Sequence, residues 1–389
     1  MTDPVDSVDS AAALRVLERN WRSDGYTSPN LETYPWQWLW DSCFHAIIWA
    51  ALGDGRATVE LERAFVHQRP NGFVPHVGYQ HDPPAALALW GIEGASTLTQ
   101  PPMYAHAARR LANAGRPPSP VLLARIEAGL EHLWRVRPAG NGLLSCFHPW
   151  EGGTDDSPRW DAWTLTPFDR FGHWKRRKRE LVDALVLDEH ASPTGSRAFV
   201  VQSAAFNALC AFNALEFADL TGSSEWRRRG EDLTAALDAR WDEALGTWTD
   251  AADDGPCDTG VDHDSGAVRT LEALLGVLVT PDERRADRVF TDLFDPTAYG
   301  ARFGPCGLHR DEPAFDPDAY WRGANWPQLV YLLWVAATRR GHPQLAERLA
   351  CALREGAAAS GHAEYWNPDT GEGRGAAPQS WTCLYVATV

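Results

Sequence analysis

The chain has 389 residues, of which 44% are hydrophobic, and a formal net charge of −16. This length and apolar content are enough for a large core, while the acidic balance argues against a nucleic-acid backbone as partner, because that binding relies on clustered Lys and Arg. The 19 tryptophans exceed what an ordinary protein carries, so we expect only part of them to be core filler.

Helical periodicity dominates the chain from end to end. Apolar residues recur at three- and four-residue spacing in 9–23, 120–136, 206–222, 225–241 and 342–359. Other segments are apolar on nearly all sides, which indicates burial on more than one face: the run that starts at Ser42, then 198–210, 266–279 and 324–341. Strand signals are weak.

Amphipathic helices therefore alternate with helices that are apolar all round. Two concentric rings of helices produce this alternation, since an inner ring is covered on both sides and an outer ring on one. Loops rich in Gly, Pro and Trp fall at the ends of the predicted inner helices, around 24–41, 69–102, 146–175, 300–325 and 361–381. We predict one all-α domain over 1–389, with its site built from these loops.

No segment predicts export or membrane insertion. The amino terminus lacks a basic region followed by an apolar one, and the apolar stretch at 329–337 is too short to cross a bilayer. The seven cysteines form no Cys-x-x-Cys pair or His/Cys cluster, which is typical of reduced thiols. We predict a cytoplasmic protein that binds a small molecule and needs no metal or cofactor, with its oligomeric state open.

The segment "HPWEGGTDDSPRWDAW" (148–163) gathers tryptophans and carboxylates in sixteen residues. Surface loops rarely carry so much Trp, and cores rarely carry so much Asp. A sugar pocket needs both, because flat rings stack on pyranose faces while carboxylates hold hydroxyls and move protons. Asp-Asp-Ser-Pro is also a good turn and helix-capping sequence, so this segment alone does not decide the function.

Six ordered motifs carry a family resemblance over most of the chain. They are "YPWQWLWDSCFHA" (34–46), "NGFVPH" (71–76), "TQPP" (99–102), "EGGTDDSPRW" (151–160), "YWRGANWP" (320–327) and "EYWNPDTGEGRGAAPQSWT" (364–382). This series resembles glycoside hydrolase family 63, in particular its bacterial glucosylglycerate and mannosylglycerate hydrolases, and more distantly the trehalases. The resemblance implies an (α/α)6 barrel and inverting hydrolysis of an α-glycoside.

An inverting glycosidase uses one carboxylic acid to protonate the leaving oxygen and a second carboxylate to activate water from the opposite face. The resemblance implies Asp155 as the general acid, and Asp156 beside it can raise its pKa through like charge. It implies Glu364, which precedes an aromatic pair, as the general base, with Glu372 as the fallback.

The resemblance also implies a set of substrate-binding residues. Asp41 matches a carboxylate that accepts hydrogen bonds from two neighbouring hydroxyls. The remaining candidates are the pocket glutamines Gln100 and Gln379, and the aromatic residues Tyr34, Trp38, Trp40, Trp150, Tyr320, Trp321, Trp326 and Trp381. We expect His45 to be a packed core histidine, and Arg322 can act as a clamp on a carboxylate.

The chain departs from the glycerate-releasing enzymes in one segment. Those enzymes hold the substrate carboxylate with an arginine followed six residues later by a tyrosine, whereas 168–201 here contains no tyrosine. Arg170, His173, Lys175 and Arg176 are cations that can bind an anionic aglycone, but none aligns with the family's arginine. The reaction is therefore better specified than the substrate.

We predict an inverting hydrolase of a small soluble α-glucoside or α-mannoside, similar to glucosylglycerate or mannosylglycerate. One alternative is trehalase-like or α-glucosidase-like hydrolysis of an α-linked disaccharide. A second is a sugar epimerase on the same helical scaffold, which needs histidine proton shuttles instead of two distant acids. A third is a sugar-binding protein without catalysis.

Overall fold

The computed structural model describes residues 4–161, 170–252 and 268–388, and helices make up most of their regular structure. The α-helices are α1 (Pro4–Asn20), α2 (Leu39–Ala51), α3 (Arg56–Arg63), α4 (Pro83–Trp90), α5 (Tyr104–Asn113), α6 (Pro120–Val136), α7 (Arg170–Asp183), α8 (Ala204–Thr221), α9 (Ser224–Asp238), α10 (Glu283–Asp292), α11 (Pro327–Arg339) and α12 (Pro343–Ser360). The 3-10 helices are Pro149–Gly152, Pro158–Trp160, Glu272–Leu278 and Ser380–Ala387.

The most buried elements contact one another in a closed circuit. Helix α2 packs against α5, α5 against α8, and α8 against the 3-10 helix Glu272–Leu278. That helix packs against α11, α11 packs against Ser380–Ala387, and this last helix returns to α2. Helices α3, α9 and α12 pack on the outside of α2, α8 and α11, while α10 and α1 pack on the two 3-10 helices. The core lies between these two layers.

Short antiparallel strand pairs connect the helices. The strands are β1 (Trp21–Arg22), β2 (Tyr26–Thr27), β3 (Gln37–Trp38), β4 (Val77–Gly78), β5 (Leu185–Leu187), β6 (Pro193–Ser196), β7 (Val201–Gln202), β8 (Trp241–Asp242), β9 (Thr247–Trp248), β10 (Ala251–Ala252), β11 (Tyr365–Trp366) and β12 (Gly373–Arg374). They pair as β1–β2, β3–β4, β5–β6, β7–β10, β8–β9 and β11–β12. Four of these pairs lie within a single connection, whereas β3–β4 and β7–β10 each join segments that are separated by two helices. Within the described ranges no closed sheet forms.

The amino-terminal ends of the inner elements meet at one end of the fold. Asp41 lies in the first turn of α2, and Gln100 comes four residues before α5. Trp326 caps α11, and Gln379 caps Ser380–Ala387. Backbone N–H groups at helix starts lack intrahelical partners, so this end of the fold favours ligands that accept hydrogen bonds.

Most helix predictions hold, and the apolar run from Ser42 lies in α2, which is buried from Leu39 to Ala50. The prediction of a helix over 198–210 is wrong in its first part. There β7 precedes α8, and the Ser203 side chain caps the helix by accepting from Phe206 N. The amphipathic assignment of 206–222 is also wrong, because α8 is buried on nearly all sides.

The segment 266–279 forms a 3-10 helix only over Glu272–Leu278, and residues 266–267 lie outside the described residues. The three- and four-residue spacing of apolar residues did not predict α3, α4, α5, α7 or α10. These helices are shorter than the amphipathic ones that were predicted, so the apolar spacing recurs fewer times in them.

In the parts of the chain that the structure describes, no helix has the length and apolar character to cross a membrane. The thiols of Cys43, Cys146, Cys210, Cys306, Cys351 and Cys383 are free, and Cys257 lies outside the described residues.

Candidate active site

Two connected chambers lie at the end of the fold where the inner helices start. The inner chamber is narrow, with a volume of about 60 Å3, and it opens into an outer chamber of about 550 Å3. Six side chains border both chambers and so form the passage between them: Tyr34, Trp38, Gln100, Asp155, Tyr320 and Glu364.

All but one of the catalytic and substrate-binding residues predicted from the sequence line these two chambers. Besides the six shared side chains, the inner chamber is lined by Trp40, Asp41, Trp321, Trp326, Gln379 and Trp381. Trp150 lines the outer chamber. Glu372, the fallback for the base, is the exception: it pairs with Arg374 at 2.7 Å, its side chain is 68% exposed, and it lines neither chamber.

Glu364 is buried at the passage, directly before β11. Its side chain accepts hydrogen bonds from Tyr34 Oη at 3.1 Å and from the backbone N of Ala376 at 3.0 Å. Burial raises the pKa of Glu364 to about 7, although the bonds from Ala376 and Tyr34 act in the opposite direction. Burial also raises the pKa of Tyr34 far above its usual value, so its phenol keeps its proton and can donate to the Glu364 carboxylate. The carboxyl group therefore titrates near neutral pH.

The segment 364–376, called the base segment after its predicted general base, leaves no space for a side chain beside Glu364. A Cβ on Gly375 would lie 2.4 Å from Glu364 Oε2, and Gly375 has a φ of +72°, which side chains rarely adopt. On the other side, Trp381 Nε1 donates to the carbonyl oxygen of Glu364 at 3.1 Å. The hairpin β11–β12 and these neighbours fix where the carboxyl group points.

Asp155 lines the passage together with Glu364, and its side chain is about one-quarter exposed. Tyr320 Oη donates to Asp155 Oδ2 at 3.4 Å, and Lys178 Nζ lies 3.9 Å from the same oxygen. Burial raises the pKa of Asp155, and the nearby charge of Asp156 adds to this, whereas Lys178 and the hydrogen bonds from Tyr320 and Trp150 lower it. Within the described residues no hydrogen bond joins the carboxyl groups of Asp155 and Glu364.

Ion pairs hold the segment 151–161, called the acid segment after its predicted general acid Asp155, from behind. Glu151 accepts from both terminal nitrogens of Arg137, at 2.5 and 2.7 Å, and both side chains are fully buried. Further along, Arg322 binds both oxygens of Asp161, at 2.5 and 2.7 Å, and reaches Asp156 at 3.4 Å. Arg322 thus clamps carboxylates of the acid segment and lines neither chamber.

Asp41 lies at the floor of the inner chamber and is 3% exposed. Burial raises its pKa well above the usual value, and the charge of Glu364 adds to the rise. Gln379 Oε1 and the indole nitrogen of Trp38 are also buried, and neither has a hydrogen-bond partner among the described residues. Buried polar atoms without partners are costly, so this chamber is suited to a ligand with several hydroxyl groups.

Aromatic rings form a stack that joins the wall of the inner chamber to that of the outer one. Trp321 lies on Trp326 with ring centroids 3.7 Å apart and planes 5° apart, and Trp326 lies on Tyr365 at 4.7 Å. Trp321 has a φ of +59°, a conformation that costs a non-glycine residue about 1–3 kcal/mol and is concentrated at functional sites.

The sequence prediction that His45 is a core histidine agrees with its full burial and its 2.6 Å contact with Ser380 Oγ.

The outer chamber contains residues that the sequence did not single out: Trp36, His76, Tyr79, Leu89, Trp90, Lys178, Arg179, Val182, Tyr365 and Gly375. Trp36 and His76 lie within quoted motifs. Lys178 and Arg179 lie in the basic run "KRRKRE" (175–180), a pattern typical of a solvated helix turn or an anion-facing loop, so the sequence signal was present but was not assigned to these residues. His76 is buried and bonded to Ser96 Oγ at 2.6 Å, and burial lowers its pKa to about 3.

The cations proposed from the sequence are not those that line the chamber. Arg176 is exposed and lines neither chamber, and the side chains of Arg170, His173 and Lys175 lie outside the described residues.

Among the side chains that the structure describes, no three His, Cys, Asp or Glu residues are grouped as a metal site would require.

Comparison with known proteins gives the family. The profile of the mannosylglycerate hydrolase MGH1-like glycoside hydrolase domain matches residues 34–382. The chain belongs to this family of glycoside hydrolases. Within family 63, it is 30% identical to a mannosylglycerate hydrolase of Thermus thermophilus, over 95% of this chain and 97% of that one. It is 27% identical to a glucosylglycerate hydrolase of Mycolicibacterium hassiacum, over 91% of each.

The fold agrees with the family. The crystal structure of a family 63 mannosylglycerate hydrolase from Thermus thermophilus, in complex with Tris, matches with a TM-score of 0.80 at 26% identity. The match covers 97% of this chain and 99% of that one. The family resemblance drawn from the six motifs is confirmed, and this family 63 protein is a glycosidase.

Proposed function

We propose that this glycosidase hydrolyses a small α-glucoside or α-mannoside with inversion, using Asp155 as general acid and Glu364 as general base. The observation that carries the proposal is that both carboxyl groups border the passage between the chambers, with a third, Asp41, at the floor of the inner one. The sugar ring would occupy the inner chamber and the leaving group the outer one, so the scissile bond would lie between the two acids.

The surroundings of each acid suit its proposed task. Glu364 accepts two hydrogen bonds, which stabilise the ionised carboxylate that takes a proton from water. Asp155 has a raised pKa and faces the outer chamber, so it can hold a proton and give it to the departing oxygen. Inversion requires the two carboxyl groups to lie roughly 6.5–9.5 Å apart, which leaves room for the attacking water.

The other predicted residues would bind the sugar. Asp41 and Gln379 would hold hydroxyls at the closed end of the inner chamber, and Gln100 would do so near the passage, where its Oε1 already accepts from Trp40 N at 3.2 Å. The aromatic side chains of the inner chamber would stack on the pyranose face, while Tyr34 would orient the base.

The helical circuit supports a single (α/α)6 toroid. Its inner ring would be α2, α5, α8, Glu272–Leu278, α11 and Ser380–Ala387, and its outer ring α1, α3, α6, α9, α10 and α12. We propose that 1–389 forms one catalytic domain of this kind, located in the cytoplasm.

The names of the relatives favour glycerate as the leaving group. Mannosylglycerate and glucosylglycerate hydrolases both match nearly the whole chain, so both sugars remain candidates. Hydrolysis of an α-linked disaccharide is the alternative, which the volume of the outer chamber and its Trp36 and Trp90 rings favour.

The test removes each acid in turn. Asp155→Asn and Glu364→Gln should each lower kcat by roughly 10²- to 10⁴-fold while leaving sugar binding largely intact, because the ring contacts remain. The matched control is Glu372→Gln on the same hairpin, which should keep wild-type kcat.

The substrates are glucosylglycerate, mannosylglycerate, trehalose and kojibiose, with the first-formed anomer followed by NMR. Inversion requires the β-anomer from an α-glycoside. Wild-type turnover by either acid variant, or the α-anomer as first product, would contradict the role assignment.

A further inference from the structure

A buried chain of three polar side chains lies behind the closed end of the inner chamber, and none of the three lines either chamber. Ser380 Oγ lies 2.6 Å from Nε2 of His45, and Nδ1 of the same ring faces Glu60 Oε1 at 3.7 Å. All three side chains are fully buried. Polar groups in a core are directed by their partners, unlike apolar ones, so this chain can set the geometry of the elements that it joins.

Glu60, on α3, anchors one end of the chain. Its Oε2 accepts hydrogen bonds from N and Oγ1 of Thr27, both at 2.7 Å. Its Oε1 and Nδ1 of His45 have no hydrogen-bond partner within the described ranges, so their 3.7 Å contact is electrostatic. Since a carboxylate oxygen faces Nδ1, that nitrogen carries the ring proton, and Nε2 is left to accept from Ser380 Oγ. The carboxylate thus orients the imidazole toward Ser380.

The contact between His45 and Ser380 joins the first and last elements of the closed circuit. His45 lies on α2, and Ser380 begins the 3-10 helix Ser380–Ala387, 335 residues further along the chain. Ser380 also binds the segment that leads to Tyr34, because its N donates to the carbonyl oxygen of Pro29 at 2.9 Å and its Oγ lies 3.1 Å from the same oxygen. The contact therefore closes the circuit at the end of the fold where the chambers lie.

The same contact lies directly behind two residues of the inner chamber. Asp41 precedes His45 by four residues on α2, so the two side chains share one face of that helix. Gln379 immediately precedes Ser380 and caps its helix. Asp41 and Gln379 both line the inner chamber, so the contact between their neighbours sets how far apart these two residues lie.

We propose that His45 and Ser380 are positioning residues that set the affinity of the inner chamber for the sugar. Their contact, with the imidazole oriented by Glu60, fixes the spacing of Asp41 and Gln379. The inference rests on the proposed function, in which Asp41 and Gln379 hold hydroxyl groups of the sugar. These hydroxyls are held before, during and after the reaction, so losing the spacing weakens binding more than it slows the chemical step.

The experiment removes the contact and measures binding separately from turnover. Ser380→Ala removes the hydroxyl, and His45→Asn shortens the side chain so that its amide reaches only the position of Nδ1. His45→Gln is the conservative rescue, because its longer side chain places the amide near the position of Nε2. The matched control is Thr388→Val at the other end of the same helix, which deletes a buried hydroxyl that donates to the carbonyl oxygen of Tyr385 at 2.7 Å.

The measurements are the Kd of glucose and mannose by calorimetry, KM and kcat for the glycoside that the wild type cleaves fastest, and the midpoint of thermal unfolding. Ser380→Ala and His45→Asn should raise Kd and KM together by about 3- to 10-fold, the size of one neutral hydrogen bond, with a smaller change in kcat. His45→Gln and Thr388→Val should keep Kd close to the wild-type value. In a Gln379→Ala background, Ser380→Ala should add little, because the residue through which it acts is gone.

A lower unfolding midpoint with unchanged Kd in both Ser380→Ala and His45→Asn would overturn the inference, because a purely structural role produces that result. A full additional loss from Ser380→Ala in the Gln379→Ala background would overturn it as well. Since Kd is measured without turnover, neither result touches the proposed roles of Asp155 and Glu364. If the wild type binds the monosaccharide but cleaves none of the glycosides, the proposed function fails, and the Kd values still decide the inference.

Discussion

The acid segment, which carries the proposed acid Asp155, and the base segment, which carries the proposed base Glu364, hold their carboxyl groups in different ways. Glu364 is held directly, by a phenol and a backbone N–H in a hairpin that leaves no space beside it. Asp155 receives a long bond from Tyr320 and a hydrogen bond from Trp150, while the strong contacts of its segment lie behind it, on Glu151 and Asp161.

This difference fits two different tasks. A base that must take a proton from one water benefits from a fixed direction and from donors that favour its ionised form. An acid must remain protonated until the leaving oxygen arrives, and every strong donor to it would lower its pKa. The acid segment is therefore held mainly through Glu151 and Asp161, and the proposed acid itself receives only the weaker contacts of Tyr320, Trp150 and Lys178.

The largest predicted effect comes from breaking the ion pair behind the acid. Arg137→Met leaves the Glu151 carboxylate fully buried without its counter-charge, which should lower the free energy of unfolding by about 3–5 kcal/mol. Urea unfolding measures this change. The matched control is Arg228→Met, which removes an exposed pair with Asp232 and should leave the midpoint almost unchanged.

The double variant Arg137→Met/Glu151→Gln removes the stranded charge and should recover much of the lost stability. If Arg137→Met is no more destabilising than Arg228→Met, the acid segment does not depend on this buried pair, and the proposed contrast with the base segment loses its support.

The second prediction perturbs the base without touching it. Gly375→Ala introduces a Cβ 2.4 Å from Glu364 Oε2 and should displace the carboxylate, lowering kcat by about 10²-fold, as misplacement by roughly 1 Å can do. Gly361→Ala is the control, because Gly361 has a similar φ of +68° but open space around its Cα. Steady-state kinetics separates the two variants, and equal losses would mean that backbone strain, not the carboxylate position, limits the activity.

The sequence predicted the inner chamber well because its residues lie in motifs with recognisable order. The predicted acid Asp155, the predicted base Glu364, Asp41 and the aromatic walls were all selected from these motifs. Asp155 and Glu364 are 209 residues apart in the chain. The apolar run in α2 likewise predicted a buried helix, since burial on all sides leaves no polar face.

The outer chamber could not be predicted in the same way. A basic run on a helix has the same pattern whether a lysine faces water or a cavity, so the place of Lys178 depends on how α7 packs against the acid segment. That packing includes the 3.3 Å contact between His148 Nε2 and the carbonyl oxygen of Lys178. The 3-10 geometry of Glu272–Leu278 was missed for a related reason, because apolar spacing does not separate it from an α-helix in so short a segment.

The smallest predicted effect tests the direct support of the base. Tyr34→Phe removes the phenol that donates to Glu364, and since this bond favours the ionised form, the pKa of Glu364 should rise above its value of about 7. A base must be ionised to act, so the acidic limb of kcat/KM should move to higher pH and activity at pH 7 should fall several-fold, with recovery near pH 8 to 9. A loss that stays constant across this pH range would mean that Tyr34 positions the substrate instead of the base. A limb that moves to lower pH would mean that the phenol stabilises the protonated form of Glu364, and the assignment of Glu364 as the ionised partner in the contrast between the two segments would then be wrong.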